Sequence, residues 1–239
     1  MSFYSSIVTY YDQIFPLSEQ EATFTRLLVE EHGCQTMLDI GCGSGALAYA
    51  MTPYMQHIEA FDYDQAMVDK AISLRSHPVI HFRQGDMRCL TEMYRPANYD
   101  LVTCYGNTLV HLPQEEALAV LPQVYGLLVE GGVFACQILN YEHIFAENIT
   151  ELPLIERPSL RFERWYELVS PQEVLFHSRL TLTDMADPLD NVIPLYPLNK
   201  DELATGLEQA GFTHLQWYGN FGGDVYHGAH LPLIVTARK

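Results

Sequence analysis

Short apolar runs alternate with longer amphipathic segments over residues 36–139. Runs such as residues 58–61 and 99–104 have the length and composition of buried strands, while the segments between them have helical periodicity. One helical segment, residues 114–128, contains Pro122, which is expected to kink or restart the helix. Strands that alternate with helices predict a doubly wound α/β fold, with a parallel sheet between two helical layers.

The first 33 residues break this alternation, because aromatic residues precede a single amphipathic helix. The helix is predicted to begin at Ser18, a favourable N-cap residue, and to place Leu27, Leu28 and Val29 on its buried side. We therefore expect a helical segment that lies beside the sheet.

Residues 149–197 also depart from the alternating pattern. Residues 160–169 and 173–183 each alternate apolar and polar positions, and three turn-forming residues join them. This pattern predicts an antiparallel hairpin inserted at the carboxyl edge of the sheet, where a substrate pocket is often built.

The last segment returns to the alternating pattern. Asn199 and Glu202 form an N-cap arrangement, and Gly211 ends the helix that follows. Residues 213–218 and 233–237 are then predicted to be two strands of a closing antiparallel hairpin.

A glycine-rich turn follows the first predicted strand in the stretch Leu38-Asp39-Ile40-Gly41-Cys42-Gly43-Ser44-Gly45. Glycines allow the chain to reverse sharply, and they allow a ligand to approach the backbone. The spacing is G-x-G-x-G rather than the G-x-G-x-x-G of dinucleotide sites, with an acid two residues before the first glycine. The turn therefore predicts a nucleotide site, and its spacing disfavours a dinucleotide.

Acids recur at the ends of the later strands. Asp62 lies 21 residues after Gly41, at the tip of the second strand, where one carboxylate can accept both hydroxyl groups of a ribose. A Gly85-Asp86 pair ends the third strand, and Asp100 leads the fourth.

These four elements, in this order over residues 38–104, resemble the motifs of class I S-adenosylmethionine (SAM)-dependent methyltransferases. The resemblance implies a Rossmann-like seven-stranded sheet whose last strand is antiparallel, an N-terminal helical lid led by Tyr11, and S-adenosylhomocysteine as product. It also implies that Asp39 faces the cationic amino acid end of SAM, Asp62 holds the ribose, and Asp86 and Met87 hold the adenine. The full set of residues assigned to the cofactor is Tyr11, Asp39, Gly41, Cys42, Gly43, Asp62, Tyr63, Met67, Asp86, Met87 and Cys104.

Two further stretches are similar to glycine and sarcosine N-methyltransferases. They are the Gly106-Asn107-Thr108 segment with His111, in which Thr108 replaces the usual Ser, and the Asn140-Tyr141-Glu142 segment. Asn107 and His111 are the predicted catalytic residues. Asn107 is expected to hold the substrate or the far side of the cofactor. His111 is interpreted either as a base for an amine or as a structural residue that bonds a backbone carbonyl.

Composition narrows the cellular setting and the partners. The chain has 13 basic and 30 acidic residues, a net charge of −17, which disfavours nucleic acid. It has no apolar run near the roughly 20 residues that a membrane helix needs, and no signal peptide is recognised. Five cysteines without a C-x-x-C pair predict a reduced, cytoplasmic location, and no metal site is expected, since His227 and His230 lie in a glycine-rich loop.

The sequence therefore predicts a cytoplasmic enzyme that transfers a methyl group from SAM to a small molecule, with a nitrogen acceptor preferred to oxygen. A single domain is expected over residues 1–239, a monomer or homodimer, with residues 1–33 as the lid and 149–197 as the insertion. Two alternatives stay open: a SAM-binding regulatory protein without activity, and an NAD-dependent oxidoreductase, which the glycine spacing disfavours.

Overall fold

The computed structural model describes residues 3–185 and 187–239, and it contains two sheets with helices around the larger one. The nine α-helices of these residues are α1 Phe3–Ile7, α2 Tyr11–Ile14, α3 Glu19–His32, α4 Ala46–Ala50, α5 Gln65–Arg75, α6 Leu90–Met93, α7 Gln114–Leu127, α8 Tyr141–Ala146 and α9 Lys200–Ala210. The strands are β1 Thr36–Ile40, β2 His57–Asp62, β3 Ile80–Gln84, β4 Tyr99–Cys104, β5 Leu128–Leu139, β6 Ile155–Arg157, β7 Leu160–Ser170, β8 Glu173–Leu182, β9 Leu189–Leu195, β10 Thr213–Tyr218 and β11 Pro232–Arg238. Short 3-10 helices span Val8–Tyr10, Met87–Cys89 and Thr108–His111.

The larger sheet has seven strands in the order β10-β11-β5-β4-β1-β2-β3. Its five strands from β5 to β3 are parallel, while β11 runs antiparallel to both of its neighbours. This confirms the predicted doubly wound α/β sheet with an antiparallel last strand. Because β1 and β4 are central, their carboxyl ends open on the crevice where α/β sheets bind ligands.

The predicted hairpin is present as β7 and β8, but it belongs to a four-stranded antiparallel sheet in the order β6-β7-β8-β9. The flanking strands were not predicted, because β6 has three residues and β9 contains a proline. Apolar side chains of α1 and α2, Ile7 and Ile14, pack against the inner face of this sheet. The N-terminal segment and the insertion are therefore built on one shared apolar cluster.

Two helix expectations need correction. In α3, Leu27 is 51% exposed, because three consecutive residues of a helix span about 200° and cannot share one face. In α7, the helix continues through Pro122 without restarting. Its buried residues Val120, Leu121 and Val124 lie on both sides of the proline and keep that helix packed on the core.

The C-terminal helix follows the sequence prediction closely. The Asn199 side chain accepts a hydrogen bond from the Glu202 amide, the Glu202 carboxylate accepts one from the Asn199 amide, and Gly211 ends α9 with a positive φ. Among the described residues, none of the helices combines the length and apolar character that a bilayer-crossing segment requires.

Candidate active site

The glycine loop after β1 is built for close approach. Gly41, Gly43 and Gly45 all have positive φ, at 70°, 54° and 78°. A Cβ added at Gly43 would lie 2.8 Å from the Tyr11 hydroxyl, and one at Gly41 would lie 2.5 Å from Cγ2 of Thr108. Larger residues are therefore excluded by the backbone conformation and by the neighbours that close over the loop.

A first cavity of about 460 Å³ opens at the carboxyl ends of β1, β2 and β4, within the size range of small-molecule sites. It is lined by Tyr11, Ile40, Gly41, Gly43, Phe61, Asp62, Tyr63, Asp64, Met67, Gly85, Asp86, Met87, Arg88, Tyr105, Gly106, Thr108, His111, Leu112, Pro113, Glu116, Pro194 and Tyr196. Eight of the eleven residues predicted for the cofactor line this cavity, as does His111.

Four predicted residues do not line the first cavity. Asp39, Cys42 and Cys104 lie behind its wall, and Asn107 lines a second cavity instead. Asp39 and Cys104 are buried, at 3% and 1% exposure. Their positions inside the strand ends, rather than beyond them, account for this placement.

Several lining residues were missed by sequence reasoning. Tyr105 directly follows a predicted strand end, which is a signal that was available. Pro194 and Tyr196 come from the end of the insertion, and only the packing of the second sheet brings them to the cavity. A backbone hydrogen bond of 2.8 Å from the Tyr196 amide to the Val110 carbonyl fixes that approach.

Asp62 joins the glycine loop to the end of β2. Its Oδ2 accepts a 2.8 Å hydrogen bond from the Gly43 amide, and its Oδ1 accepts one of 2.9 Å from the Asp64 amide. Burial raises the pKa of Asp62, although these backbone hydrogen bonds counteract part of the effect. The carboxylate is thus held rigidly on the cavity wall.

Asp39 and Glu21 form a pair of acids at the inner end of the loop. The Thr103 hydroxyl donates a 2.7 Å hydrogen bond to Oδ1 of Asp39, while the buried Oδ2 has no hydrogen-bond partner among the described residues. Burial raises the pKa of Asp39 to about 7, and the charges of Glu21 and Asp62 add to this shift. Burial also raises the pKa of Glu21, on α3, to about 7. The raised pKa values of Asp39 and Glu21 indicate that their negative charges are not fully compensated by positive groups nearby.

Asp86 lines the first cavity just after the end of β3, where it caps the 3-10 helix Met87–Cys89. Its Oδ1 accepts a hydrogen bond from the Arg88 amide at 2.9 Å, and its Oδ2 lies 2.6 Å from Nη2 of Arg88. The Arg88 hydrogen bond lowers the pKa of Asp86, so the carboxylate is ionised at neutral pH. Arg88 also reaches Glu116 at 3.4 Å.

Asp12 fastens the N-terminal segment over the glycine loop. It accepts a hydrogen bond from the Ser44 hydroxyl and forms ion pairs with Lys70 at 3.3 Å and Arg75 at 3.2 Å. Burial alone would raise the pKa of Asp12, but the Ser44 hydrogen bond and the two cations lower it overall. This contact holds Tyr11 beside Gly43.

We expect Asp12→Asn to weaken the attachment of the N-terminal segment to the glycine loop by about 1 kcal/mol. The substitution removes the charge that pairs with Lys70 and Arg75 in a partly buried contact. Calorimetric titration with SAM should show a severalfold weaker affinity, and proteolysis should cut residues 3–15 faster. Because the folded pKa is lowered, the contact persists above the usual pKa of 3.8 and is lost only in stronger acid. The matched control is Asp184→Asn on the exposed turn after β8; an equal effect there would contradict the assignment.

The second cavity, of about 290 Å³, adjoins the first and shares Gly106 and His111 with it. It is lined by Phe15, Gly106, Asn107, His111, Gln137, Leu139, Leu152, Pro153, Arg164, Tyr166, Phe176, Ile193, Leu195 and Leu231. The N-terminal segment, β5 and the second sheet all contribute to its walls. The two cavities therefore form one site with a junction at the 3-10 helix Thr108–His111.

The two predicted catalytic residues differ in their surroundings. Asn107 adopts a positive φ of 64°, its Nδ2 donates to the Tyr141 hydroxyl at 2.8 Å, and its Oδ1 accepts from the Leu139 amide at 2.9 Å. The Asn107 amide thus ties the junction to β5 and α8. His111 lies at the junction itself, where burial lowers its pKa to about 4 and keeps the imidazole neutral near pH 7.

The first cavity fits the cationic cofactor that the motifs imply. Among its lining side chains, the carboxylates of Asp62, Asp64, Asp86 and Glu116 outnumber the one guanidinium, Arg88, which is already paired. SAM carries a sulfonium and an ammonium group, so an acidic cavity favours it. The glycine loop supplies backbone that a ligand can approach without meeting a Cβ.

Comparison with known proteins adds an independent line of support. Residues 37–132 match the family described as a methyltransferase domain. A glycine/sarcosine N-methyltransferase from Aphanothece halophytica is 23% identical over 227 residues, covering 88% of this chain and 78% of the relative. Against some glycine N-methyltransferase relatives, the chain spans only 45% of their length.

Solved structures share the fold across the whole chain. A SAM-dependent methyltransferase from Clostridium acetobutylicum has a TM-score of 0.83 at 15% identity, with 99% of each chain covered. SAM-bound CalS10, an amino pentose methyltransferase from Micromonospora echinaspora, has a TM-score of 0.76 at 19% identity, with 100% of this chain and 98% of that one covered. The domain match over residues 37–132, the relatives and the shared fold together support a SAM-dependent methyltransferase.

Proposed function

We propose that this enzyme transfers the methyl group of SAM to the nitrogen of a small molecule held in the second cavity. The observation that carries the proposal is the junction of the two cavities at Gly106 and His111. A cofactor in the first cavity and an acceptor in the second would meet there. The match to a methyltransferase domain favours a methyltransferase over an oxidoreductase, and a second cavity beside the first favours an enzyme over a purely regulatory protein.

The chain contributes alignment and exclusion of water. When bound, SAM supplies a methyl group on a positively charged sulfur that is a good leaving group, so an in-line approach is the main requirement. The N-terminal segment closes the glycine loop through Tyr11, and Phe15 continues that cover over the second cavity. Holding the acceptor in one orientation converts the reaction into an effectively unimolecular step, and a closed site excludes competing water.

His111 supports nitrogen rather than oxygen as the acceptor atom. With its pKa lowered to about 4, the imidazole is a weak base that cannot ionise an alcohol near pH 7. An amine acceptor needs only to be in its neutral form when it attacks. The unprotonated nitrogen of a neutral imidazole can then accept a hydrogen bond from the amine N–H. The names of the relatives agree with this, since one is a glycine/sarcosine N-methyltransferase and another acts on an amino pentose.

Within the first cavity, we assign the ribose to Asp62, the adenine to Asp86 and Met87, and the ammonium end to the acids at the inner end of the loop. The contact of Asp62 with the loop and the position of Asp86 after the end of β3 support this assignment. Asn107 is assigned as a positioning residue, because its amide is engaged with Leu139 and Tyr141.

The test is a methyl-transfer assay with matched pairs of acceptors that differ only in carrying an amine or a hydroxyl. We expect N-methylated product and S-adenosylhomocysteine to form in equal amounts with the amines. Transfer to the hydroxyl compounds alone would overturn the nitrogen assignment and leave the class of enzyme intact.

A variant tests the role of His111. We expect His111→Gln to lower kcat/KM about tenfold, the effect of losing one hydrogen bond of about 1.4 kcal/mol at the acceptor. SAM affinity, measured by titration calorimetry, should change less than twofold. His81→Gln, an exposed histidine on β3, is the matched control. Equal losses of kcat/KM in both variants would show that His111 has no particular role.

A further inference from the structure

The second cavity has mostly apolar walls. Seven lining side chains from four parts of the chain are hydrocarbon or aromatic: Phe15, Leu139, Leu152, Phe176, Ile193, Leu195 and Leu231. Its two amide side chains are already engaged within the protein. The Asn107 amide bonds Tyr141 and Leu139, and Gln137 accepts from the Gly106 amide at 2.8 Å and donates to the Ile138 carbonyl at 2.9 Å. Few polar groups are left for a polyhydroxylated ligand.

Among the described residues that line the second cavity, Arg164 is the one charged side chain. Its Nη2 donates to the Pro153 carbonyl at 2.9 Å, and its guanidinium lies 5.9 Å from the ring centres of Phe15 and Phe162. Its Nε is buried and has no hydrogen-bond partner among the described residues. Within that same part of the chain, no carboxylate lies within ion-pair distance of it. Burial also lowers the pKa of the guanidinium, which remains charged.

Two other arginines on the same hairpin show the usual arrangement. Arg161 pairs with Glu163 at 3.1 Å, and Arg179 pairs with Asp190 at 2.7 Å, all of them on the exposed face. The chain has 30 acidic residues, so acids were available to pair with Arg164 as well. A partly desolvated cation without a counter-ion is unfavourable, and an anion from outside the protein would compensate it.

We propose that the acceptor is an amphiphilic amine whose anionic group, a carboxylate or a phosphate, pairs with Arg164 while its apolar body lies along the second cavity. The inference rests on the proposed function, since it takes the second cavity as the acceptor site. A planar guanidinium suits both anions, because each offers two oxygens to its paired N–H groups. Glycine lacks the apolar body, and an amino pentose lacks both the apolar body and the anion, so this chain is expected to differ from the relatives named for those substrates.

The experiment uses a matched set of probes with one six-carbon body: 6-aminohexanoic acid, 6-aminohexyl phosphate and hexylamine. Binding to the SAM-saturated enzyme is measured by calorimetry, and methyl transfer is measured separately. We expect the carboxylate, the phosphate or both to bind about tenfold more tightly than hexylamine, and the two anionic probes distinguish the sources of the anion. Arg164→Gln should remove that preference while hexylamine binding stays unchanged.

Two variants keep the result interpretable. Arg164→Lys retains the charge and is expected to restore part of the preference, which a purely structural role would not predict. Arg161→Gln, an exposed arginine on the same strand, should leave the preference intact.

The two proposals fail in different ways. Equal binding of hexylamine and the anionic probes, or no binding of either anionic probe, overturns the anion site. Methyl transfer to amines without anionic preference leaves the proposed function standing. Tight, Arg164-dependent binding of the anions with no transfer to any nitrogen supports the anion site and contradicts N-methylation.

Discussion

Replacing Asp62 with alanine is expected to weaken SAM binding by about 1.5 to 3 kcal/mol, roughly ten- to more than a hundredfold. A buried carboxylate that accepts two ribose hydroxyls makes charge-assisted hydrogen bonds, which are stronger than neutral ones. The substitution also removes the acceptor for the Gly43 amide, so the glycine loop loses part of its support. Calorimetric titration with SAM and with S-adenosylhomocysteine measures the effect, and both should weaken because both carry the ribose.

The control for Asp62 is Asp69→Ala on the exposed side of α5, which removes the same charge nearby. Thermal unfolding of each variant separates loss of binding from loss of the fold. Unchanged affinity in a folded Asp62→Ala protein would show that the ribose lies elsewhere.

SAM binding is expected to strengthen about tenfold between pH 6 and pH 8, with protons released on binding. Burial raises the pKa of Asp39 to about 7, so this acid is largely protonated at pH 6 in the free protein. A cation bound at the inner end of the loop favours the ionised form and therefore displaces the proton. Affinity should rise through pH 7 and level off above it. Titration in two buffers with different ionisation enthalpies counts the protons released.

Asp39→Asn should reduce the pH dependence of SAM affinity and weaken SAM binding at pH 8 by about tenfold or more. At pH 6 the affinities of the variant and the parent protein should differ less, because Asp39 is then largely protonated. Glu21→Gln should remove a smaller part of the dependence, since Glu21 adds to the shift at Asp39. Glu31→Gln, on the exposed side of the same helix, is the control. If Asp39→Asn kept the full pH dependence, another group would be responsible.

The raised pKa of Asp39 also affects stability. Between its usual pKa of 3.8 and its folded pKa of about 7, the folded protein holds a proton that the unfolded chain has lost. Stability contributed by this group is therefore present at low pH and declines as pH rises through that window. Without ligand, Asp39→Asn is expected to raise the melting temperature at pH 8.

The alternation of strands and helices along the chain, the glycine loop and the acid at the end of β2 could be read from the sequence. Each depends on neighbours in the chain: strand length on a local apolar run, the turn on glycines with positive φ, and the capping box of α9 on residues three apart. Local determinants of this kind survive in any tertiary context. The motif resemblance then indicated the cofactor.

Other features depended on residues distant in the chain. The position of Asp39 relative to the first cavity depended on the alignment of β1 with β4. In that alignment Asp39 lies beside Thr103, whose hydroxyl donates a hydrogen bond to Oδ1 of Asp39. The Asn107 amide was predicted for a ligand, and the structure shows it engaged with Leu139 and Tyr141. The residue type tells which hydrogen-bond donors and acceptors a side chain has, but the packing of the folded protein determines which groups they bond.

By itself, the sequence determined that this protein has alternating strands and helices and a glycine loop suited to a nucleotide, because strand periodicity, turn chemistry and acid placement act over short distances along the chain. The resemblance to known motifs then indicated SAM. Only the tertiary structure decided where the second cavity lies and which cation lines it. The three arginines of the hairpin are equivalent in sequence, yet in the folded protein two of them pair with acids at the surface, while Arg164 lies near Phe15 with its Nε buried. Burial and charge pairing are properties of the assembled fold, so they cannot be assigned before the distant segments meet.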